Sequence, residues 1–406
     1  MSVGLEFPSS LVPIKGVRLA STSANIYSNK RNDLLLIELD KGTVTSAVFT
    51  RNIFCAAPVK IAKENVNNFK PRYLLINSGN ANAGTGEKGI IHAKSTCQSL
   101  ATITGCKMSQ ILPFSTGVIG EDLPVEKINQ SLPELVNKLS NDAWLEAAQA
   151  IMTTDTIPKA ISRQVILNGV DINLTGIAKG AGMIKPNMAT MLSFIATDAN
   201  ISKEALDIAI ANAVNKSFNR ITIDGDTSTN DACAIFATGK AKNNLIDNCN
   251  SDDFIEFERA VINICCDLAQ AIVRDGEGAT KFISIEVSKG KDQDECLGVA
   301  YKIAESPLVK TAFTASDPNW GRILAAIGNS GINDLNINNV SVYLDDVCIV
   351  DNGERSKTYT EESGKKVMVQ EEIKLSVNLN RGACKEEIWT TDLSHEYITI
   401  NAEYRT

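Results

Sequence analysis

The sequence predicts a mixed α/β fold of layered sheets and helices. Three observations predict it: short apolar runs recur between turn-forming residues, segments with helical spacing of apolar residues separate them, and strand-like stretches return after the longest helical segment. At 406 residues, and roughly 150 residues per domain, the length favours two or three domains with a large core.

The elements follow in order. Leu34 to Leu39, Ala47 to Phe49 and Tyr73 to Ile76 read as short buried strands, and the turn-formers Asn77-Ser78-Gly79-Asn80 interrupt the third. Glu87 to Thr104, Val125 to Leu139 and Asp142 to Met152 carry apolar residues at helical spacing, with Pro and Gly at the joints. Ser202 can cap a helix through Val214. In the next helix Phe254, Phe257, Val261, Ile264, Leu268 and Ile272 repeat at steps of three and four, so one face is buried. Strands then return at Phe282 to Val287, Val340 to Leu344, Glu372 to Asn378 and Tyr397 to Ile400. No repeat, low-complexity tract or Pro-rich linker announces a domain boundary.

Composition excludes several classes of function. Hydrophobic residues make up 44% and charged residues 22%, as in an ordinary globular chain. No run reaches the roughly 18 apolar residues of a membrane helix, so no membrane partner is expected. A net charge of −8 without Lys/Arg clusters gives little attraction for a phosphate backbone, so no nucleic-acid partner is expected either. The N-terminal stretch MSVGLEFPSSLVPIKG has neither the basic start and apolar core of a secretory signal nor the pattern of a transit peptide, which predicts a cytoplasmic protein. Ten cysteines without a CxxC pair suit buried thiols in a reducing compartment better than disulfides or a zinc site.

Histidine is the most restrictive count, because His92 and His395 are the only two. HExxH and GxSxG are both absent, and the two histidines lie in a helix-like stretch and in a polar turn before the last strand. Hydrolytic or acyl-transfer chemistry in this chain therefore draws on another base, and no metal site is expected.

The segment 161–199 exceeds a bland reading. Alternating apolar residues flank Asn168-Gly169, a strong signal for a two-residue hairpin turn. Lys179-Gly180-Ala181-Gly182 reads as a permissive loop, and Pro186 stops any helix. Ala189-Thr190 then stands just ahead of Met191 to Ala196, an apolar run that reads as a buried strand. Thr begins many strands without any further role. Yet if the Ala189-Thr190 bond were cut, Thr190 would carry both a hydroxyl nucleophile and a free α-amine to serve as its base. Such an amine titrates near pH 8, where it can accept and return a proton.

The segment KGAGMIKPNMATML at 179–192 resembles the self-cleavage motif of the ornithine acetyltransferases of arginine biosynthesis, also called glutamate N-acetyltransferases. NSGNANAGTG (77–86), FSTGVIGE (114–121), AIMTTDTIPK (150–159), NRITIDGDTSTND (219–231), RDGEGATK (274–281), SDPNWGRI (316–323) and ITINAEYRT (398–406) resemble other blocks of that family, in its order. The resemblance runs from about residue 5 to the C-terminus.

The resemblance implies a precursor that cuts itself between Ala189 and Thr190 into an α chain, 1–189, and a β chain, 190–406. It implies a ping-pong transfer in which Thr190 takes acetyl from N2-acetyl-L-ornithine and passes it to L-glutamate. Thr116 and Gly117 match the family's oxyanion pair. Lys179 matches a substrate contact, where a cation suits an α-carboxylate. Thr153 matches a binding threonine, with Thr154 the adjacent alternative, and Asp155 beside them is read as an organiser of the loop. Glu277 matches an active-site glutamate, and Asn401 and Thr406 match the last two substrate contacts. Ala181 and Lys185 depart from the Ser and His common in the family, which bears on the cleavage rate.

The implied fold is a layered α/β/β/α sandwich of two intertwined parts, similar to the N-terminal-nucleophile hydrolases but with its own connectivity. The implied assembly is an α2β2 heterotetramer, and no metal or organic cofactor is implied. Two alternatives stand beside the recycling enzyme: one that also takes acetyl-CoA as donor, and an N-terminal-nucleophile amidohydrolase or aminopeptidase in which water replaces glutamate.

Overall fold

The computed structural model describes residues 2–28, 31–185 and 191–403. The first half runs β1 (Val17–Thr22), β2 (Leu34–Leu39), β3 (Val44–Phe49), α1 (Ala57–Asn68), β4 (Tyr73–Asn80), α2 (Gly86–Thr104) and β5 (Ile111–Val118). It continues with α3 (Val125–Asn137), α4 (Trp144–Ala150), β6 (Lys159–Leu167) and β7 (Val170–Lys179). Next come β8 (Leu192–Thr197), α5 (Lys203–Lys216), β9 (Ile221–Thr222), β10 (Ala232–Ala237) and α6 (Asp252–Arg274). The last third holds β11 (Phe282–Gly290), α7 (Gln293–Ala304), α8 (Pro307–Thr314), α9 (Trp320–Gly328), β12 (Ser341–Leu344), β13 (Val347–Asp351) and β14 (Glu354–Arg355). It closes with α10 (Glu361–Met368), β15 (Glu372–Asn378), β16 (Cys384–Thr391) and α11 (His395–Ala402).

These strands form three sheets, ordered β1-β2-β4-β5, β3-β10-β8-β7-β6 and β14-β13-β12-β15-β11-β16-β9. The first two stack face to face. β2 shows why its run of apolar residues is continuous: Leu35 and Ile37 point into the space between the sheets, while Leu34 and Leu36 point to the opposite face. Between the sheets, Leu19, Ile37 and Phe114 meet Ile177, Phe194 and Phe236. The Phe114 and Phe194 rings pack edge to face, 5.1 Å apart. Leu100 of α2 and Ile128 and Leu132 of α3 cover the outer face of the first sheet. Leu206 and Ile210 of α5 and Val261, Ile264 and Leu268 of α6 cover that of the second. The order of layers is therefore α/β/β/α. The third sheet adds a layer of its own, with Ile283, Ile285 and Val287 packed beneath α7 and α9.

Local chemistry sets the ends of these elements. Ser202 and Ser251 accept hydrogen bonds from Ala205 N and Phe254 N and so cap α5 and α6. Asn168 and Gly169 take φ of 48° and 79° at the tip of the β6–β7 hairpin, the two positive values that a primed turn requires. Strands from both sides of residue 189 interleave in the second sheet, where β8 and β10 lie between β3 and β7. The boundary at 189/190 itself falls outside the described residues. Among the described residues no helix is long and apolar enough to cross a membrane, and no group of side chains is arranged to hold a metal ion. All ten cysteines are unpaired thiols.

Four local expectations are corrected. Asn77 to Asn80 does not end its strand but continues β4, because Asn77 is satisfied internally: its Nδ2 donates to Asn80 O at 2.8 Å and its Oδ1 accepts from Ser115 Oγ at 2.6 Å. Lys179 is the last residue of β7 and is buried instead of lying in an open loop. Tyr397 to Ile400 belongs to helix α11 despite its β-branched residues, since β11 and β9 already occupy both edges of β16. His395 accordingly begins that helix and does not sit in a turn.

Candidate active site

A cavity of about 270 Å³ opens where the two stacked sheets meet the loops after β7 and α6. Its first wall is the end of β5. Thr116 and Gly117 run parallel to Ser78 and Gly79 of β4. Gly117 has φ of 135°, and a Cβ there would lie 2.3 Å from Gly79 C and 2.5 Å from Asn80 N. Only glycine lets the two backbones approach this closely. Asn230 fixes the same wall by donating from Nδ2 to Ala81 O at 2.6 Å and to Ser115 O at 2.9 Å.

Lys179 reaches across from β7. Its Nζ donates to Thr153 Oγ1 at 2.7 Å and to Thr116 Oγ1 at 3.3 Å, so one cation joins two hydroxyls from different elements. Burial pushes its pKa below the ordinary lysine value, against the upward pull of the Asp155 carboxylate. Thr153 and Thr154 both line the cavity, and Thr153 is the one that Lys179 contacts.

Beneath these groups lies a sealed ionic core. Asp155 accepts from Thr153 N at 2.9 Å and from Gly180 N at 2.7 Å, tying the turn after α4 to the end of β7. Lys159 Nζ sits 2.6 Å from both Asp155 and Asp275. Asp275 in turn accepts from Thr156 N at 2.9 Å and from the Thr156 hydroxyl. Burial opposes the Asp155 carboxylate, but the Lys159 and Lys179 cations outweigh it and hold its pKa well below the usual carboxylate range. Burial likewise opposes the Lys159 cation, but the two carboxylates raise its pKa above that of an ordinary lysine.

The far wall carries the opposite charge. Glu277 is buried, its backbone N–H donates to Ala181 O at 2.8 Å, and its Oε2 accepts from Asn401 Nδ2 at 2.7 Å. Gly182 makes room for that carboxylate, because a Cβ there would lie 2.4 Å from Glu277 Oε2. The cavity thus presents a cation and hydroxyls on one side and a carboxylate with an amide on the other. That is the complement of a small molecule bearing both a carboxylate and an amine.

Thr116, Gly117, Thr153, Lys179, Glu277 and Asn401, which are distant in sequence, all line this one cavity. Ala189, Thr190 and Thr406 lie outside the described residues. Met191, next to Thr190 in sequence, lines the cavity, and its carbonyl accepts from Ala232 N at 2.9 Å. On the other side, Lys185 pairs with Glu305 at 2.9 Å. Neither histidine lines the cavity. Sequence reasoning missed Lys159, Asp275 and Asn230. Lys159 and Asn230 lie inside the quoted blocks 150–159 and 219–231, and Asp275 inside 274–281, so the signal was present without a reason to single them out.

The chain is 55% identical over 406 residues to the arginine biosynthesis bifunctional protein ArgJ of Pseudomonas fluorescens (strain Pf0-1), covering 100% of both chains. It is 52% identical over 396 residues to the protein of the same name from Methylococcus capsulatus, covering 98% of this chain and 97% of the other. A crystal structure of the protein of that name from Bacillus halodurans is 41% identical, with a TM-score of 0.51, over 53% of this chain and 100% of that one. A profile of the ArgJ family matches residues 18–406, and the chain belongs to that family.

Proposed function

We propose that this protein is the ornithine acetyltransferase of arginine biosynthesis, moving acetyl from N2-acetyl-L-ornithine to L-glutamate. The observation that carries this reading is the convergence of Thr116, Gly117, Thr153, Lys179, Glu277 and Asn401 on one cavity that Met191, the neighbour of Thr190, also lines. The precursor cuts itself between Ala189 and Thr190, leaving chains 1–189 and 190–406. The interleaving of β8 and β10 with β3 and β7 would keep the two chains in one sheet after the cut.

In the first half-reaction the Thr190 hydroxyl attacks the acetyl carbonyl while the α-amine of the same residue takes its proton. The Oγ–C bond forms, the amide C–N bond breaks, and ornithine leaves with the proton. In the second half-reaction the amine of glutamate attacks the acetyl-enzyme, and the hydroxyl is restored. Thr116 and Gly117 hold the carbonyl oxygen as negative charge develops on it. Lys179 takes the α-carboxylate common to both substrates, while Glu277 and Asn401 meet the amine, and Thr153 and Thr406 complete the site. No metal or organic cofactor takes part. The enzyme works as an α2β2 assembly in the cytoplasm, where its ten unpaired thiols stay reduced.

The relatives' description as bifunctional favours a second donor, acetyl-CoA. Acetylation of glutamate from acetyl-CoA by purified protein tests it, and no turnover leaves the recycling reaction alone. Release of ornithine without glutamate would instead favour an amidohydrolase.

The deciding experiment is intact mass under denaturing conditions. Two chains, one ending at Ala189 and one beginning at Thr190, are expected of the wild type, and a single inactive chain of Thr190→Ala. Two chains with retained turnover in that variant would overturn the mechanism.

A further inference from the structure

Helix α11 carries Asn401 to the cavity, yet none of its residues is buried and Ile398 is left exposed. Hydrophobic burial therefore does little to place it. What holds it is polar. Ser394 Oγ donates to Gly278 O at 2.6 Å, the Tyr397 hydroxyl donates to Asp224 Oδ2 at 3.2 Å, and Asn401 Nδ2 donates to Glu277 Oε2 at 2.7 Å. Gly278, at φ of 67°, lets the helix come this near, because a Cβ there would lie 2.5 Å from Tyr397 N.

Asp224 is a rigid post for such a contact. Its carboxylate also accepts from Met183 N at 2.6 Å and Ile184 N at 2.9 Å, and the neighbouring Ile223 N donates to Ile184 O at 2.7 Å. The position of α11 is thereby referred to the segment that lines the cavity at Met183 and Ile184. Burial and the adjacent Asp224 charge both raise the Tyr397 phenol pKa, so it remains a donor across the physiological range.

We propose that Asp224 and Tyr397 form a latch that holds α11, and with it Asn401, against the cavity, making both of them positioning residues for substrate binding. The inference rests on the reading that the cavity takes N2-acetyl-L-ornithine. Neither residue needs to touch substrate, since their effect passes through Asn401 and Glu277.

The test is Tyr397→Phe, which keeps the ring and removes only the donor. Loss of one hydrogen bond to a charged group should raise KM for N2-acetyl-L-ornithine about tenfold with kcat within about twofold. Hydrogen exchange of the 396–402 amides in the resting protein should quicken by about the same factor. Asp224→Asn should raise KM as well, and adding it to Tyr397→Phe should give less than the product of the two effects. An unchanged KM, unchanged exchange or a multiplicative double variant would each overturn the latch. Absence of acetyl transfer by the wild-type protein would instead overturn the assignment of the cavity.

Discussion

Lys159 is bound to Asp155 at 2.6 Å with the two side chains 1% and 0% exposed, and the same ammonium holds Asp275 at 2.6 Å on its other side. Few arrangements are as costly to leave incomplete. Three charges are withdrawn from water, and each is tolerated because the others and the surrounding N–H donors satisfy it. Asp155 binds Gly180 N and Thr153 N, Asp275 binds Thr156 N, and Glu277 follows two residues on, so this buried core sets the spacing of three site-bearing segments.

Lys159→Met removes the shared cation and leaves two buried carboxylates facing each other. Removal of one partner from a buried pair typically costs about 3–5 kcal/mol. Urea unfolding at pH 7 should show a loss of that size, whereas a loss under about 1 kcal/mol would mean that the core is not held electrostatically.

The pH dependence of that stabilisation follows from the two directions of shift. The Asp155 pKa is lowered by folding, so its contribution is present above the ordinary carboxylate value of about 3.9 and fades only as pH falls through the lower folded value. The Lys159 pKa is raised, so its contribution is complete below about 10.4 and fades as pH rises through the folded value. The stabilisation that this core gives the wild type should therefore be flat between about pH 6 and pH 9. The difference from Lys159→Met should not shrink as pH rises, because the variant's uncompensated carboxylates are less tolerated the more fully they are ionised. A difference that narrows by more than about 1 kcal/mol from about pH 6 to pH 9, read from unfolding curves, contradicts the assignment.

Thr116→Val keeps the shape of a residue in a parallel strand pair and removes the hydroxyl that faces Lys179 Nζ at 3.3 Å. The variant should fold and be cut into two chains, yet lose about 10²–10³ in kcat, as expected on losing an oxyanion donor. Steady-state rates equal to wild type would remove Thr116 from that role.

Gly182→Ala places a methyl group where the Glu277 carboxylate now lies, 2.4 Å from Oε2. The carboxylate must swing away and release Asn401 Nδ2, now at 2.7 Å. KM for N2-acetyl-L-ornithine should rise by about tenfold or more, comparable to losing a charge-assisted hydrogen bond. A KM within twofold of wild type would show that Glu277 does not bind substrate in its present position.

Much of this architecture was legible in the chain. The periodic face from Phe254 to Ile272 lies within the buried face of α6, Ser202 caps α5, and Asn168-Gly169 turns the hairpin, because each is fixed by chemistry within a few residues. Tyr397 to Ile400 misled because the β-preference of Tyr, Ile and Thr is a packing preference, and no strand edge awaited them. Lys179 reads as part of a permissive loop and Glu277 is singled out only by its family match, and it is the fold that buries both.

The order of chemical blocks along the chain, from NSGNANAGTG to ITINAEYRT, was enough by itself to identify the family and to nominate Thr116, Gly117, Thr153, Lys179, Glu277 and Asn401. Only tertiary structure decided that these six face one cavity, that Lys159 holds Asp155 and Asp275 beneath it, and that α11 stands on Asp224 and Glu277. The reason is physical: local preferences act over a few residues. The pairing of Lys159 with Asp275, 116 positions apart, exists only once the sheets have stacked and water has been removed from around both charges.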